Sequence, residues 1–286
     1  MKNLAEMNLV DNFLFGTVMD HEEAGKLVGK TILETILHRE IRIKSVNPEK
    51  TIWSSDTDFH GIRLDAYIEE EGTADISPGN VYDLEPDQKV GEKKKLPKRC
   101  RFYHSNIDLR LLQSGDSYDK FPSAMVIFIT TFDPFGENRM VYTIRNHCVE
   151  LPEMDYEDGA VTIFLYTKGE TGNPPEDLQV LLKYLSETRT ENACSPELNQ
   201  IQGMIDEMKK DPRIRRRYMD MKEYIERERR EAVEEALIEE KEHLEAEKHR
   251  ADEEKRRADE EKCRADAAEA EVLRLRALLK NAGITE

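Results

Sequence analysis

The chain has 286 residues, with 43 basic and 60 acidic side chains and a formal net charge of −17. So acidic a chain is not expected to coat DNA without specificity, although it can still contain a local basic groove. No apolar run approaches the roughly 20 residues that cross a bilayer, and no secretion signal is recognisable, so we expect a cytoplasmic protein without a membrane span. The four cysteines lie far apart with no CxxC pair, which favours reduced thiols over disulfides or a zinc site.

Residues 1–210 have the pattern of a globular domain of mixed helix and strand. Apolar residues at helical spacing predict helices over 22–38, 97–114, 175–187 and 197–210, and alternating or continuous apolar runs predict strands over 39–46, 61–70, 80–85, 124–132, 140–147 and 160–167. The run AMVIFITTF (124–132) is typical of a central strand buried on both faces. This order predicts an α/β domain with helices packed on a sheet.

Residues 211–286 form a second region, rich in Ala, Glu, Lys and Arg, with the composition of a long exposed α-helix. A seven-residue repeat places Leu237, Leu244, Ala251, Ala258, Ala265, Val272 and Leu279 on one stripe. The companion stripe is Glu at 240, 247, 254 and 261, and it turns apolar only at Ala268 and Leu275. A strong coiled coil needs both stripes apolar. The pattern therefore leaves two alternatives, a homo-oligomer formed through residues 237–280 and a solvated single helix.

Two carboxylates stand out in the predicted strands. Asp65 lies mid-strand in GIRLDAYIEE, where Asp is disfavoured, and shares its face with Arg63. In VYDLEPDQ (81–88), Val81, Asp83, Glu85 and Asp87 share one face. If the two strands pair across the polar turn at 72–80, Asp65 and Glu85 come close, and a divalent cation would remove their repulsion. The alternative is a solvated face on which Asp65 pairs with Arg63.

Several stretches give the chain a resemblance to the PD-(D/E)XK nuclease superfamily and, more narrowly, to its recombination-promoting nuclease and putative transposase (Rpn-like) branch. These stretches are LVDNFLFGTVM (9–19), GIRLDAYIEEEG (61–72), VYDLEPDQ (81–88) and RCRFYHSNIDLRLLQSGDSYDKFPSAMVIFITTFDPFG (99–136). The resemblance covers about residues 5–190. It implies a restriction-endonuclease-like αβββαβ core with a mixed sheet, to which the long C-terminal α-helix is added, and metal-dependent DNA cleavage.

The resemblance also implies roles for individual residues. Asp65 matches the motif aspartate and Glu85 the motif glutamate, and both would hold Mg²⁺ or Mn²⁺. The third motif position is Lys in the superfamily and often Gln in this branch; here it is Asp87, which can hold a metal but cannot supply a positive charge. Gln88 is adjacent, although strand alternation directs it to the opposite face. Asp11, near the N-terminus, is a weaker metal candidate or the N-terminal Asp of a helix.

A basic segment follows these carboxylates and provides candidate DNA contacts. EKKKLPKRCR (92–101) concentrates positive charge directly after the second strand of the pair. Lys98, Arg99, Arg101 and Tyr103 are the predicted contacts to phosphate or base. The alternative is a solvated loop and helix start.

Three functions compete on these patterns. The first is a metal-dependent DNA endonuclease, and the second is a catalytically inactive nuclease-fold module that binds DNA or protein and assembles through its C-terminal helix. The third is a homo-oligomeric scaffold in which the tail is primary.

Overall fold

The computed structural model describes residues 2–52, 62–72, 79–111 and 117–281. Over these ranges it is an α/β structure with a mixed six-stranded sheet and a long C-terminal helix, which confirms the predicted fold class at that level. Most of the predicted turn at 72–80 and the end of the helix predicted to reach residue 114 lie outside the described residues. All four cysteines carry free thiols. No helix within the described ranges combines the length and apolar character that a membrane span requires.

Six α-helices are described, and some of them begin or end at residues with recognisable capping geometry. Their bounds are α1 (Asn12–Asp20), α2 (Glu22–Leu37), α3 (Leu96–Leu111), α4 (Glu176–Ser186), α5 (Pro196–Lys210) and α6 (Pro212–Asn281). Ser195 caps α5, because its Oγ accepts a hydrogen bond from the Leu198 N–H at 3.2 Å and Pro196 occupies the first turn. His38 ends α2 in the left-handed conformation, with φ of 51°.

The strands form one sheet whose order places the predicted central strand in the middle. They are β1 (Ile43–Ile52), β2 (Ile62–Glu70), β3 (Val81–Asp87), β4 (Ala124–Thr130), β5 (Val141–Ile144) and β6 (Ala160–Tyr166), in the order β1-β2-β3-β4-β6-β5. β1, β2 and β3 are antiparallel neighbours, β3, β4 and β6 run parallel, and β5 is antiparallel to β6. The parallel pair β3–β4 is joined through α3, as parallel strands require a crossover.

Helices cover both faces of this sheet. α1 and α2 pack against β1, and α4 and α5 pack on α2. On the other face, α3 packs on β4 through Leu96, Cys100 and Ile107, which form a buried cluster with Val126 and Phe128. Strand register puts Asp83 opposite Val126 and Glu85 opposite Phe128, so the carboxylates of β3 lie on the face that α3 covers.

Two compact units divide the chain, residues 1–219 and residues 220–286. The first unit includes the start of α6, because Tyr218 is buried with its ring 5.1 Å from that of Phe13. Arg217, one residue earlier, donates a hydrogen bond to Thr17 Oγ1 at 2.6 Å. In the second unit, every side chain that the structure describes from 223 to 278 is exposed.

Candidate functional site

The register of β2 and β3 brings the two predicted metal residues together. Tyr67 pairs with Asp83 and Ala66 with Leu84, so Asp65 and Glu85 come next in the ladder. The Asp65 backbone N–H donates a hydrogen bond to Glu85 Oε1 at 2.8 Å. The face shared by residues 65 and 85, which alternation predicts, is therefore the one observed.

Three carboxyl groups of β3 are buried beside Asp65. Asp83 is fully buried, Glu85 is 2% exposed and Asp87 is 3% exposed, whereas Asp65 is half-buried. Neither Asp83 oxygen accepts a hydrogen bond from a donor within the described residues. The Asp83 and Glu85 carboxyl groups lie close enough to share a hydrogen bond once one of them carries a proton. We call Asp65, Asp83, Glu85 and Asp87 the acidic cluster.

Arg99 of α3 provides positive charge to the acidic cluster. Its Nη1 donates to Asp87 Oδ2 at 2.7 Å, and its Nη2 donates to Glu85 Oε2 at 3.5 Å. The guanidinium carbon lies 4.8 Å from the Phe128 ring centroid and 5.5 Å from that of Tyr103. Arg99, which was predicted as a DNA contact, lies on the carboxylates of β3, because α3 turns it toward that strand.

Burial makes ionisation of the acidic cluster unfavourable. It raises the pKa of Glu85 to about 8, with repulsion from Asp65 adding to the effect. Burial likewise raises the pKa of Asp65 to about 6, against the attraction of Arg99 and Arg63. The pKa of Asp83 is raised well above its ordinary value by burial and then by Glu85 and Asp65. Near neutral pH the cluster therefore retains protons that exposed carboxyl groups would lose.

The donor atoms of the cluster are all oxygens, which fits Mg²⁺ or Mn²⁺ better than Zn²⁺. Asp65 forms no ion pair with the described side chains, since Arg63 pairs with Glu49 of β1. Within the described residues, no group of three or more His, Cys, Asp or Glu side chains is arranged to hold a metal ion. Mg²⁺ commonly binds through one or two carboxylates plus waters and phosphate oxygens, and Asp65 and Glu85 are the neighbouring carboxylates that could hold it.

Gln88 and Asp11 lie together, on the opposite side of β3 from the acidic cluster. Gln88 Nε2 donates to the Val10 carbonyl at 2.6 Å and to Asp11 Oδ1 at 3.0 Å. Asp11 is the N-cap residue of α1, and both its oxygens accept from Lys2 Nζ at 3.0 Å. These contacts fasten the N-terminal segment to the end of β3. They give both residues a structural role and do not bring either to Glu85.

The other predicted DNA contacts divide between the two flanks of α3. Tyr103 is half-buried, with its ring centroid 6.2 Å from that of Phe128, on the flank of Arg99. Lys98 and Arg101 are exposed. Arg101 lies two residues after Arg99, nearly on the opposite side of the helix, so it does not join the acidic cluster.

Asp83 was not among the predicted site residues, and Arg99 was predicted as a DNA contact and not as the cation that pairs with the carboxylates. Strand alternation placed Asp83 on the same face as Glu85, but alternation predicts which face a side chain lies on and not how deeply it is buried.

Comparison with known proteins adds no relative to these observations. No protein-family model matches the chain, and no curated protein and no solved structure is significantly similar to it.

Proposed function

We propose that the chain is a metal-dependent DNA nuclease of the PD-(D/E)XK type, of the recombination-promoting kind, in which Asp65 and Glu85 hold Mg²⁺ or Mn²⁺. The acidic cluster under α3 carries this proposal, because it gathers four carboxyl groups against the guanidinium of Arg99. Ionisation of the cluster is unfavourable, and the pKa of Glu85 is accordingly raised to about 8. A divalent cation supplies the missing positive charge.

The order of elements supports the same proposal. Helices α1 and α2 precede the antiparallel strands β1, β2 and β3, and α3 then leads to the parallel strand β4. This order is compatible with the αβββαβ core that the resemblance implies. In that core, Asp65 and Glu85 would lie on the second and third strands.

Arg99 resolves the departure at the third motif position. Asp87 cannot provide positive charge, but it holds the Arg99 guanidinium at 2.7 Å, beside Glu85. Asp87 is thus a positioning residue, and Arg99 is the cation that would face a phosphate bound at Asp65 and Glu85. The bound dication would polarise that phosphate and lower the pKa of an attacking water.

Plasmid cleavage with Mg²⁺ or Mn²⁺ tests the proposal. We expect Asp65→Ala, Glu85→Ala and the near-isosteric Glu85→Gln to reduce nicking by at least about a hundredfold, since each removes a metal-holding carboxylate. Glu40→Gln, which changes an exposed carboxylate, is the matched control and should cleave like the wild type. If the wild type and all of these variants nicked the plasmid equally, the proposal would be contradicted.

The inactive binding module is a second candidate, and the ion pairs of Arg99 favour it. A guanidinium that already binds Asp87 and Glu85 neutralises part of the charge that a metal would otherwise balance. Titration calorimetry separates the two functions. Heat of Mn²⁺ binding that disappears in Asp65→Ala supports the nuclease, whereas DNA binding without any metal binding supports the inactive module.

We further propose that α6 associates between copies of the chain. Leu237, Leu244 and Val272 of the predicted stripe are 60%, 50% and 48% exposed, and Leu275 of the companion stripe is 51% exposed. Apolar residues repeated at seven-residue spacing are covered most readily by a second helix.

Deleting residues 220–286 tests this association. We expect the mass in solution to fall to that of a monomer, whereas the urea midpoint of the compact unit should change little, since the deleted side chains described from 223 to 278 are exposed. Light scattering and circular dichroism provide the two measurements. A full-length chain that is already monomeric would contradict the association.

A further inference from the structure

A cavity of about 370 Å³ lies beside α3, on the flank opposite Arg99. Its floor is formed by alternate residues of β6, among them Thr162 and Phe164, and Cys100 and His104 of α3 form one wall. Ile144 of β5, 50% exposed, borders the opening. The volume lies at the lower end of the range for small-molecule sites, about 300–1,000 Å³, and admits one small ligand.

Two arginines at this cavity form no ion pair with any residue that the structure describes. Arg101 and Arg145 line the cavity, both residues are exposed, and their side chains form neither an ion pair nor a hydrogen bond within the described part of the chain. Burial lowers the pKa of His104, which disfavours its charged form, and its Nε2 contacts Thr162 Oγ1 at 2.9 Å. In a chain of net charge −17, two unpaired guanidinium groups at one cavity constitute an anion-binding feature.

The acidic residue Asp158 acts electrostatically on His104 of this cavity, and it is already engaged by other groups. Asp158 accepts a hydrogen bond from Asn146 Nδ2 at 2.6 Å and another from the Ala160 N–H at 3.0 Å. It does not pair with either arginine.

A larger cavity, about 1,230 Å³, lies where α5 meets α6, and there the balance of charge is different. Its cations Lys210, Arg213 and Arg217 each pair with an acidic residue. The cavity beside α3 differs from this larger cavity because its cations, Arg101 and Arg145, are available to a ligand.

The interior of the cavity beside α3 is aromatic. Phe135 is 38% exposed and meets Phe164 edge to face, with ring centroids 5.0 Å apart. A planar ring of a ligand can pack on such a surface, while a phosphate attached to it reaches the arginines at the opening.

We propose that this cavity binds one nucleotide unit, with the base against Phe135 and Phe164 and the phosphate on Arg101 and Arg145. The same chemistry is present in a free nucleoside monophosphate and in one unit of a DNA strand. The inference goes beyond the cleavage proposal and stands without it, because it uses no residue of the acidic cluster.

The cavity and the acidic cluster are linked by ring contacts. Phe164 stacks on Phe128 with centroids 5.4 Å apart, and Phe128 carries the Arg99 guanidinium on its ring at 4.8 Å.

The experiment is fluorescence anisotropy of a labelled oligothymidylate on the full chain, in EDTA so that metal-dependent cleavage cannot contribute. Thymidine 5′-monophosphate and inorganic phosphate serve as competitors. We expect Arg101→Ala and Arg145→Ala each to weaken binding about tenfold, and Phe135→Ala about fivefold or more. Arg189→Ala removes an exposed arginine elsewhere on the chain and should leave binding unchanged.

The competitors identify the source of the nucleotide. Displacement by thymidine monophosphate and not by phosphate indicates a site for a free nucleotide as well as a strand. Variant-sensitive oligonucleotide binding that the mononucleotide does not displace indicates a site for a strand unit only. Variants that bind like the wild type, phosphate that competes as well as the mononucleotide, or absence of binding of both probes would overturn the proposal.

Discussion

Arg99→Ala is expected to lower the free energy of unfolding by about 3–5 kcal/mol at pH 7, as loss of one partner of a buried ion pair does. The substitution leaves the Asp87 carboxylate, 3% exposed, without its guanidinium partner, and it removes the cation beside Glu85, whose pKa of about 8 keeps it largely protonated at pH 7. It also removes the planar group that packs on Phe128. Urea unfolding followed by circular dichroism measures the change.

The neighbouring Lys98→Ala is the matched control, because Lys98 is a cation on the same helix that is exposed. Its effect should stay within about 0.5 kcal/mol. Adding Asp87→Asn to Arg99→Ala should recover part of the loss, since an amide needs no counter-charge. A loss no larger than that of Lys98→Ala would mean that Arg99 does not compensate the acidic cluster.

Strand alternation made half of the candidate site predictable. It placed Asp65 on one face of β2 and Glu85 on one face of β3, and pairing of consecutive strands brought them together. Arg99 could not be placed in the same way. Its position depends on how α3 docks on the sheet, and the spacing within a helix predicts which residues share a side but not the strand that they meet.

Strand β1 shows where local patterns were incomplete. Alternation predicted a strand over 39–46, whereas β1 spans Ile43–Ile52 and continues through Pro48. A proline lacks the N–H that an inner strand needs, so Pro48 argues against a strand unless the strand is at an edge. β1 is at the edge of the sheet, with β2 on one side only, and edge position is a property of the whole fold that no local window contains.

The start of α6 illustrates the same limit. The composition of residues 211–286 predicted a long helix, and α6 spans Pro212–Asn281. The predicted domain boundary follows residue 210, whereas the compact unit extends to residue 219, because Tyr218 packs on Phe13. An aromatic residue within a charged helix is a sign of such a contact, although its partner lies some two hundred residues away along the chain.

The stability of the wild type is expected to fall as the pH rises from about 5 to about 8. Burial raises the pKa of Glu85 from 4.5 to about 8 and that of Asp65 from 3.8 to about 6. In this interval the folded chain binds more protons than the unfolded chain. The stabilisation linked to these protons is therefore complete below the unfolded pKa and is lost as the pH passes the folded pKa. Each such group contributes a slope of up to about 1.4 kcal/mol per pH unit.

Glu85→Gln is expected to remove much of this slope, because glutamine resembles the protonated glutamic acid and its Oε1 can still accept the Asp65 N–H. The variant and the wild type should unfold at similar urea concentrations near pH 5, and the variant should be the more stable near pH 8. Glu40→Gln, at an exposed position, should retain the wild-type dependence of stability on pH.

Mn²⁺ should stabilise the wild type most at the alkaline end of this range, where the cation replaces the lost protons, and it should not stabilise Glu85→Gln to the same extent. Parallel curves for wild type and Glu85→Gln across this range would show that Glu85 ionises in the folded chain as an exposed carboxyl group does, and the electrostatic reason for a dication at Asp65 and Glu85 would then be absent.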